Sequence, residues 1–137
     1  MRICIDLSDL NKAIKRSYHP LPTFEQIIPN LRNAKIFSLI DAKDGFWQLK
    51  LTKNSKILTC FNTPFGRYRW TVMPFGISSA PEEYQRRMCE ELEGLEGIAI
   101  VADDILVCGE GNTEMDSRIN HEIKLKALLD RCKRRNI

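Results

Sequence analysis

The run Ile98-Ala99-Ile100-Val101-Ala102-Asp103-Asp104-Ile105-Leu106-Val107 sets two acidic side chains side by side in an otherwise apolar stretch. An apolar stretch of this length reads as buried strand. An ionised carboxylate buried there without a partner is strongly unfavourable. The pair must therefore lie where the run reaches the surface, or where a cation meets it. A hairpin meets both conditions: Ile98 to Ala102 rises, Asp103 and Asp104 form the tip, and Ile105 to Cys108 returns, presenting both carboxylates at one sheet edge. The competing reading is an ordinary turn that uses Asp for its backbone preferences, although Asp-Asp lacks the glycine that the tightest hairpin turns favour.

A second short apolar strand, Ile36-Phe37-Ser38-Leu39-Ile40, also ends in an acid, Asp41. The chain between the two acidic stretches can hold a hairpin and a helix, enough to return Asp41 to the later hairpin tip. Three carboxylates at one edge raise each other's pKa unless cations meet them. Two Mg²⁺ ions would satisfy them, because Mg²⁺ takes a few carboxylates together with phosphate oxygens and water. A pair of such ions about 3.5–4 Å apart clamps the attacking and leaving oxygens of a displacement at phosphorus.

The 137 residues suffice for one domain with a core, and 43% hydrophobic with 28% charged residues is a globular balance. No apolar stretch approaches the roughly 20 residues of a membrane span, and Met1 to Asp6 is too short and too charged for a signal peptide. The five cysteines (4, 60, 89, 108, 132) form no CxxC, and with only His19 and His121 no zinc cluster is indicated. They read as reduced thiols of an intracellular protein, cytoplasmic or nuclear and not secreted. The net charge of +3 is uneven: residues 1–72 carry 12 Lys/Arg against 5 Asp/Glu, and residues 73–137 carry 9 against 13. A basic half beside an acid site suits a polyanionic ligand; a solvated surface of mixed sign fits the count equally well.

In order, residues 2–7 alternate as a strand, and Ser8 to Lys12 is a turn or short helix. Tyr18 to Pro22 is extended, because residues before proline avoid the helical region. Thr23 caps a helix to Asn33 that turns Phe24, Ile27, Ile28 and Leu31 to the core, with Pro29 kinking or shortening it. Lys35 to Asp41 is the first central strand. Ala42 to Phe46 turns tightly at Gly45, and Trp47 to Leu51 is strand. Ile57 to Asn62 and Arg67 to Val72 form a hairpin about Pro64-Phe65-Gly66. Its second arm interleaves Arg67 and Arg69 with Tyr68 and Trp70, a pattern that suits a nucleic-acid strand and equally a sheet with one wet face. Ser79 and Glu82 have capping-box spacing, opening a helix to Glu93 that buries Tyr84, Met88 and Leu92 and ends at Gly94 and Gly97. Gly109 to Thr113 is a loop. Asp116 to Arg135 is a long helix with Ile119, Ile123, Ala127 and Leu128 on one stripe. Helices over a sheet with acids at its strand ends describe an α+β fold of the split βαβ kind.

Four motifs then occur in order: Arg2-Ile-Cys-Ile-Asp-Leu with Leu10-Asn-Lys; Phe37-Ser-Leu-Ile-Asp41-Ala-Lys-Asp-Gly-Phe-Trp47; Met73-Pro-Phe-Gly-Ile-Ser-Ser-Ala-Pro81; and Val101-Ala-Asp-Asp-Ile-Leu-Val107. Their order and spacing resemble the reverse transcriptases of gypsy-type LTR retrotransposons, across essentially the whole chain. The resemblance implies the palm of a right-hand polymerase, a ferredoxin-like antiparallel sheet with helices on one face, together with part of the fingers. Fingers pieces would occupy about 1–34 and 53–72, and palm about 35–52 and 73–137. By the same resemblance, thumb, connection and ribonuclease H segments are absent from these 137 residues, and the remainder of a Pol polyprotein is the implied partner.

The implied chemistry is attack of a primer 3′-hydroxyl on the α-phosphorus of a dNTP, with release of pyrophosphate, on an RNA or DNA template. By resemblance, Asp41, Asp103 and Asp104 are the catalytic acids that hold two Mg²⁺ (or Mn²⁺) ions, with the Ala42 carbonyl near one of them. Phe46 is the aromatic gate beneath the sugar. Arg2 packs over the incoming base and meets the triphosphate, and the amides of Asp44 and Gly45 meet phosphates. Phe75 and Gly76 line the nucleotide pocket. Pro81 lies near the template, and Val101 and Ala102 near the primer end. The family usually carries an aromatic residue where Val101 stands; the Asp pair is retained, so the exchange bears on primer packing rather than on metal binding. The resemblance implies no membrane partner. The rival functions are a truncated, non-catalytic retrotransposon remnant that folds or binds nucleic acid without turnover, and another two-metal enzyme such as a nucleotidyl cyclase or nuclease.

Overall fold

A computed structural model of the chain describes residues 5–16, 19, 22–31, 33–101 and 104–137. Helix α1 spans Ser8–Ala13, α2 Phe24–Ile27, and a 3₁₀ turn Ile28–Leu31; strand β1 follows at Ala34–Asp41, then α3 at Gly45–Gln48 and α4 at Lys53–Leu58. The hairpin β2 (Cys60–Thr63) and β3 (Gly66–Arg69) leads to α5 (Ala80–Glu91), β4 (Ile98–Val101), β5 (Asp104–Glu110) and α6 (Glu114–Arg135). Among the described residues the main sheet has three antiparallel strands in the order β1-β5-β4, and β2-β3 forms a separate two-stranded ribbon.

Burial alternates strictly along β1, with Ile36, Ser38 and Ile40 partly buried and Lys35, Phe37, Leu39 and Asp41 exposed. One face of the sheet is therefore covered, the arrangement expected where helices lie on one side of an antiparallel sheet. The core beneath it joins Tyr84, Met88 and Leu92 of α5 and its cap to Ile105, Val107 and Leu128. The α5 stripe is the expected one, because residues four apart share a helix face.

Helix α6 packs on β5 and β1, but not through the stripe the sequence offers. It buries Ser117, His121 and Leu128, and leaves Ile119, Ile123 and Ala127 exposed. The reason lies in β5. A Cβ on Gly109 would fall 2.3 Å from the Ser117 carbonyl oxygen and 2.5 Å from the His121 Cβ, and one on Gly111 would fall 2.6 Å from the Ser117 amide. The first turns of α6 sit directly on two glycines, and a contact that close admits small or flat side chains and excludes isoleucine.

Other expectations change as well. Residues 5–7 form no strand; residues 2–4 and most of 18–22 lie outside the described residues. Pro29 shortens the first long helix into α2 and a 3₁₀ turn, and Ile28 faces solvent. Trp47 to Leu51 is not strand: α3 occupies Gly45–Gln48, and Lys50 makes an isolated bridge to Val72. Ile57 and Leu58 end α4 rather than opening the hairpin. The left-handed residue of the turn after β1 is Asp44, at φ 55°, and not Gly45. Ser79 caps α5 with no side-chain hydrogen bond; Glu82 pairs instead with Arg16. Helix α6 begins at Glu114, where Thr113 and Asp116 form a capping box that the sequence reading missed.

Candidate nucleotidyl-transfer site

Asp41 ends β1 and Asp104 begins β5, and the two are directly opposed in the antiparallel register. The next strand continues the row, with Val101 of β4 opposite Asp104. Opposed residues share a face, so Asp41, Asp104 and Val101 form one line across three strands on the face away from the helices. Both carboxylates are solvent-exposed, and no described residue makes an ion pair with either. Like charges directly opposed across strands destabilise a sheet unless something compensates them, and hard oxygen donors at a strand end are the ligands that Mg²⁺ takes. The pair therefore fits a divalent cation. Asp103, Ala102 and Arg2 lie outside the described residues. The rows behind the acids on the same face, Leu39 with Leu106 and Phe37 with Cys108, make an apolar floor in which Phe37 and Leu39 are exposed.

Beyond Asp41 the chain reverses at once. The Asp44 carbonyl accepts the Trp47 amide at 2.8 Å, closing the one-turn α3, and this turn sets Phe46 against the core. The Phe46 ring lies edge-on to Phe75 at 5.7 Å and to Tyr84 at 5.6 Å; such T-shaped pairs are the favoured aromatic geometry. Trp47 joins the cluster, 5.6 Å from Phe75 and 6.5 Å from Trp70. Gly45 is required here for space: a Cβ would fall 2.7 Å from the Tyr84 ring and hydroxyl. The structure thus brings together Phe46 and Phe75, two of the expected nucleotide-pocket residues; Phe46 and Ala42 pack on the core cluster, and Gly45 lies against its Tyr84. Asp44 is exposed, with its side chain making no cap bond.

The Met73–Pro81 loop carries Phe75, with Gly76 at φ 95° and Pro81 at the head of α5. Its clamp is a residue to which sequence reasoning assigned no role. The Asn11 side chain donates from Nδ2 to the Gly76 carbonyl at 2.8 Å and accepts at Oδ1 from the Ser78 amide at 2.9 Å. One carboxamide thus ties α1 to both sides of the loop. The signal was present in the Leu10-Asn-Lys motif. A groove of about 450 Å³ opens on the other flank of α5, lined by Lys15, Lys50, Thr52, Glu82, Arg86 and Arg87; it does not include the acid row.

A sheet covered by helices on one face, with carboxylates at facing ends of two neighbouring strands on the open face, is the polymerase-palm architecture, the class of nucleotidyl-transfer enzymes. The family model for reverse transcriptase (RNA-dependent DNA polymerase) matches residues 1–137, and the chain belongs to that family. It is similar to the enzymatic polyprotein of Cestrum yellow leaf curling virus, at 41% identity over 138 residues, covering 99% of this chain and 21% of the viral protein. Similarity extends to the enzymatic polyprotein of Figwort mosaic virus (strain DxS), 38% identical over 88% of this chain and 18% of that protein. An uncharacterized protein of Caenorhabditis elegans is 36% identical over 97% of this chain and 10% of its own length. Among solved structures, prototype foamy virus protease–reverse transcriptase superposes with TM-score 0.77 at 21% identity, over 94% of this chain and 17% of that one. The foamy viral protease–reverse transcriptase in complex with double-stranded DNA gives TM-score 0.73 at 28% identity, over 94% and 22%. Its complex with an RNA/DNA hybrid gives 0.69 at 26%, over 90% and 17%. The chain thus spans about a fifth of the length of the viral polyproteins it matches.

Proposed function

We propose that this chain is the palm, with part of the fingers (about 1–34 and 53–72), of an RNA-directed DNA polymerase that adds dNMP to a primer 3′-hydroxyl. The observation that carries the reading is the register opposing Asp41 to Asp104 on the open face of the sheet. Asp41, Asp103 and Asp104, with the Ala42 carbonyl, would hold two Mg²⁺ ions. When bound, these supply a lowered pKa at the attacking hydroxyl and charge neutralisation at the triphosphate. The acids themselves move no proton; they fix charge where the pentavalent centre develops it.

Phe46, backed by Phe75 and Tyr84, forms the wall against the sugar, and its fixed ring excludes a 2′-hydroxyl by size. Arg2, the turn amides of Asp44 and Gly45, and Gly76 complete the nucleotide pocket. Val101, in line with Asp104, and Ala102 meet the primer end above the apolar floor of Phe37 and Leu39. Pro81 and the basic, aromatic ribbon of Arg67, Tyr68 and Arg69 lie along the template–primer, as stacking surfaces beside cations do. The finer lineage, gypsy-type LTR elements, rests on the four motifs, including the Val101-Ala-Asp-Asp104 form. The working enzyme would be a larger Pol polyprotein acting inside the cell. The test is dNTP incorporation on a primed RNA template with Mg²⁺, comparing the chain with Asp104→Asn. The expected outcome is extension by the wild type and a loss of at least about 100-fold in the variant, within the range that removal of one charge-stabilising group produces. Equal extension by both would exclude this site. Metal-independent binding of primed template without extension would favour the non-catalytic remnant.

A further inference from the structure

The side of α6 turned away from the sheet carries Met115, Ile119 and Ile123, 66%, 52% and 64% exposed. Successive members are four residues apart, so they form one stripe along the helix. The stripe is opposite the Ser117, His121 and Leu128 side that meets the sheet. No described element covers these side chains, and Ile119 and Ile123 stand where a solvated helix face would carry polar residues. A contiguous exposed apolar patch of this kind marks an interaction site.

We infer that this stripe pairs with the same stripe of a second copy of this chain, the two α6 helices running antiparallel. The occupant is argued from the charge beside the stripe. Arg118 and Glu122 lie on one flank of it, four apart, and neither makes an ion pair with another described residue. In a two-fold antiparallel pairing, the same flank of each stripe meets its counterpart. Centred on Asn120, such a pairing sets Arg118 against Glu122 of the second copy, twice. A parallel two-fold pairing would instead turn this flank towards the opposite flank of the second copy, leaving Arg118 and Glu122 without each other. Antiparallel helices also oppose their dipoles. The isoleucines supply the affinity and the charges fix the direction. Because α6 covers the face opposite Asp41 and Asp104, pairing leaves the acid row open in both copies, and the inference stands apart from the polymerase reading.

Sedimentation equilibrium across a concentration series tests it. The wild-type chain of 15.9 kDa is expected to approach twice its mass with rising concentration. Ile119→Glu, at an exposed position that the fold tolerates, is expected to weaken association by at least about tenfold, as loss of a central interface residue does. Arg118→Glu alone is expected to weaken it too, and Arg118→Glu with Glu122→Arg to restore it. A one-chain mass at every concentration, the result if some other partner covers the stripe, would overturn the inference, as would a dimer that Ile119→Glu leaves intact. Failure of the double exchange to restore association would overturn the antiparallel arrangement.

Discussion

At the scale of single residues, the candidate site depends on one missing methyl group. Gly45 adopts no left-handed backbone; it is glycine because Tyr84 fills the space where a Cβ would stand, 2.7 Å away. Tyr84 is among the largest fully buried side chains and cannot retreat without opening the core. Gly45→Ala is therefore expected to destabilise the chain by about 1–3 kcal/mol, the usual cost of overpacking, and to displace Phe46 from its edge-on contact. Urea unfolding monitored by circular dichroism measures the first effect. Near-ultraviolet dichroism of the Phe46–Trp47–Phe75 cluster reports the second, and unchanged values in both would contradict the account. What the sequence revealed at this scale was identity rather than cause. Asp41, Phe46 and Phe75 could be named as candidates from their motifs, whereas the pressure of Tyr84 on Gly45 and the grip of Asn11 on Gly76 and Ser78 involve partners far away in sequence, which spacing does not encode.

At the scale of elements, the start of α6 is held by a reciprocal pair. The Thr113 hydroxyl accepts the Asp116 amide at 3.1 Å, while Asp116 Oδ2 accepts the Thr113 amide at 3.1 Å and its hydroxyl at 2.7 Å. The Thr113 hydroxyl, and then its amide, hold the Asp116 carboxyl below its usual value of 3.8. A depressed acid contributes stability that is full above the unfolded pKa and is lost as pH falls through the folded one. Thr113→Ala is thus expected to cost about 1 kcal/mol near neutrality and to flatten the part of the acid-side decline that Asp116 contributes below pH ~4. Thermal melts of both proteins between pH 2 and 7 check it, and parallel curves would contradict it. The same element shows why capping was misread. Ser79-Ala-Pro-Glu82 has the letters of a box, but Pro81 occupies its first turn and Arg16 takes Glu82. Thr113 to Asp116 uses the shorter acid and was passed over. The later order, the β2-β3 hairpin, α5, the β4-β5 hairpin and α6, was legible because periodicity is local, whereas α3 and α4 overlap stretches read as strand. The buried side of α6 was not legible, because it follows from Gly109 on β5 and Gly111 just beyond that strand.

At the scale of the whole molecule, a sheet with α5 and α6 on one face leaves the other open, and the acidic strand ends at Asp41 and Asp104 emerge there. The hairpin of β4 and β5 and the return of Asp41 to it were readable as soon as burial of an unpaired carboxylate was disallowed. The matching of Val101, Asp104 and Asp41 into one row was not, since register depends on where β1 enters the sheet. That row is the central claim, and divalent-ion binding tests it most directly. Titration of the chain with Mn²⁺, followed by electron paramagnetic resonance, is expected to show ions bound by the wild type, with loss of at least about tenfold in affinity in both Asp41→Asn and Asp104→Asn, as removal of one of few carboxylate ligands requires. Mn²⁺ binding that neither substitution changes would contradict it.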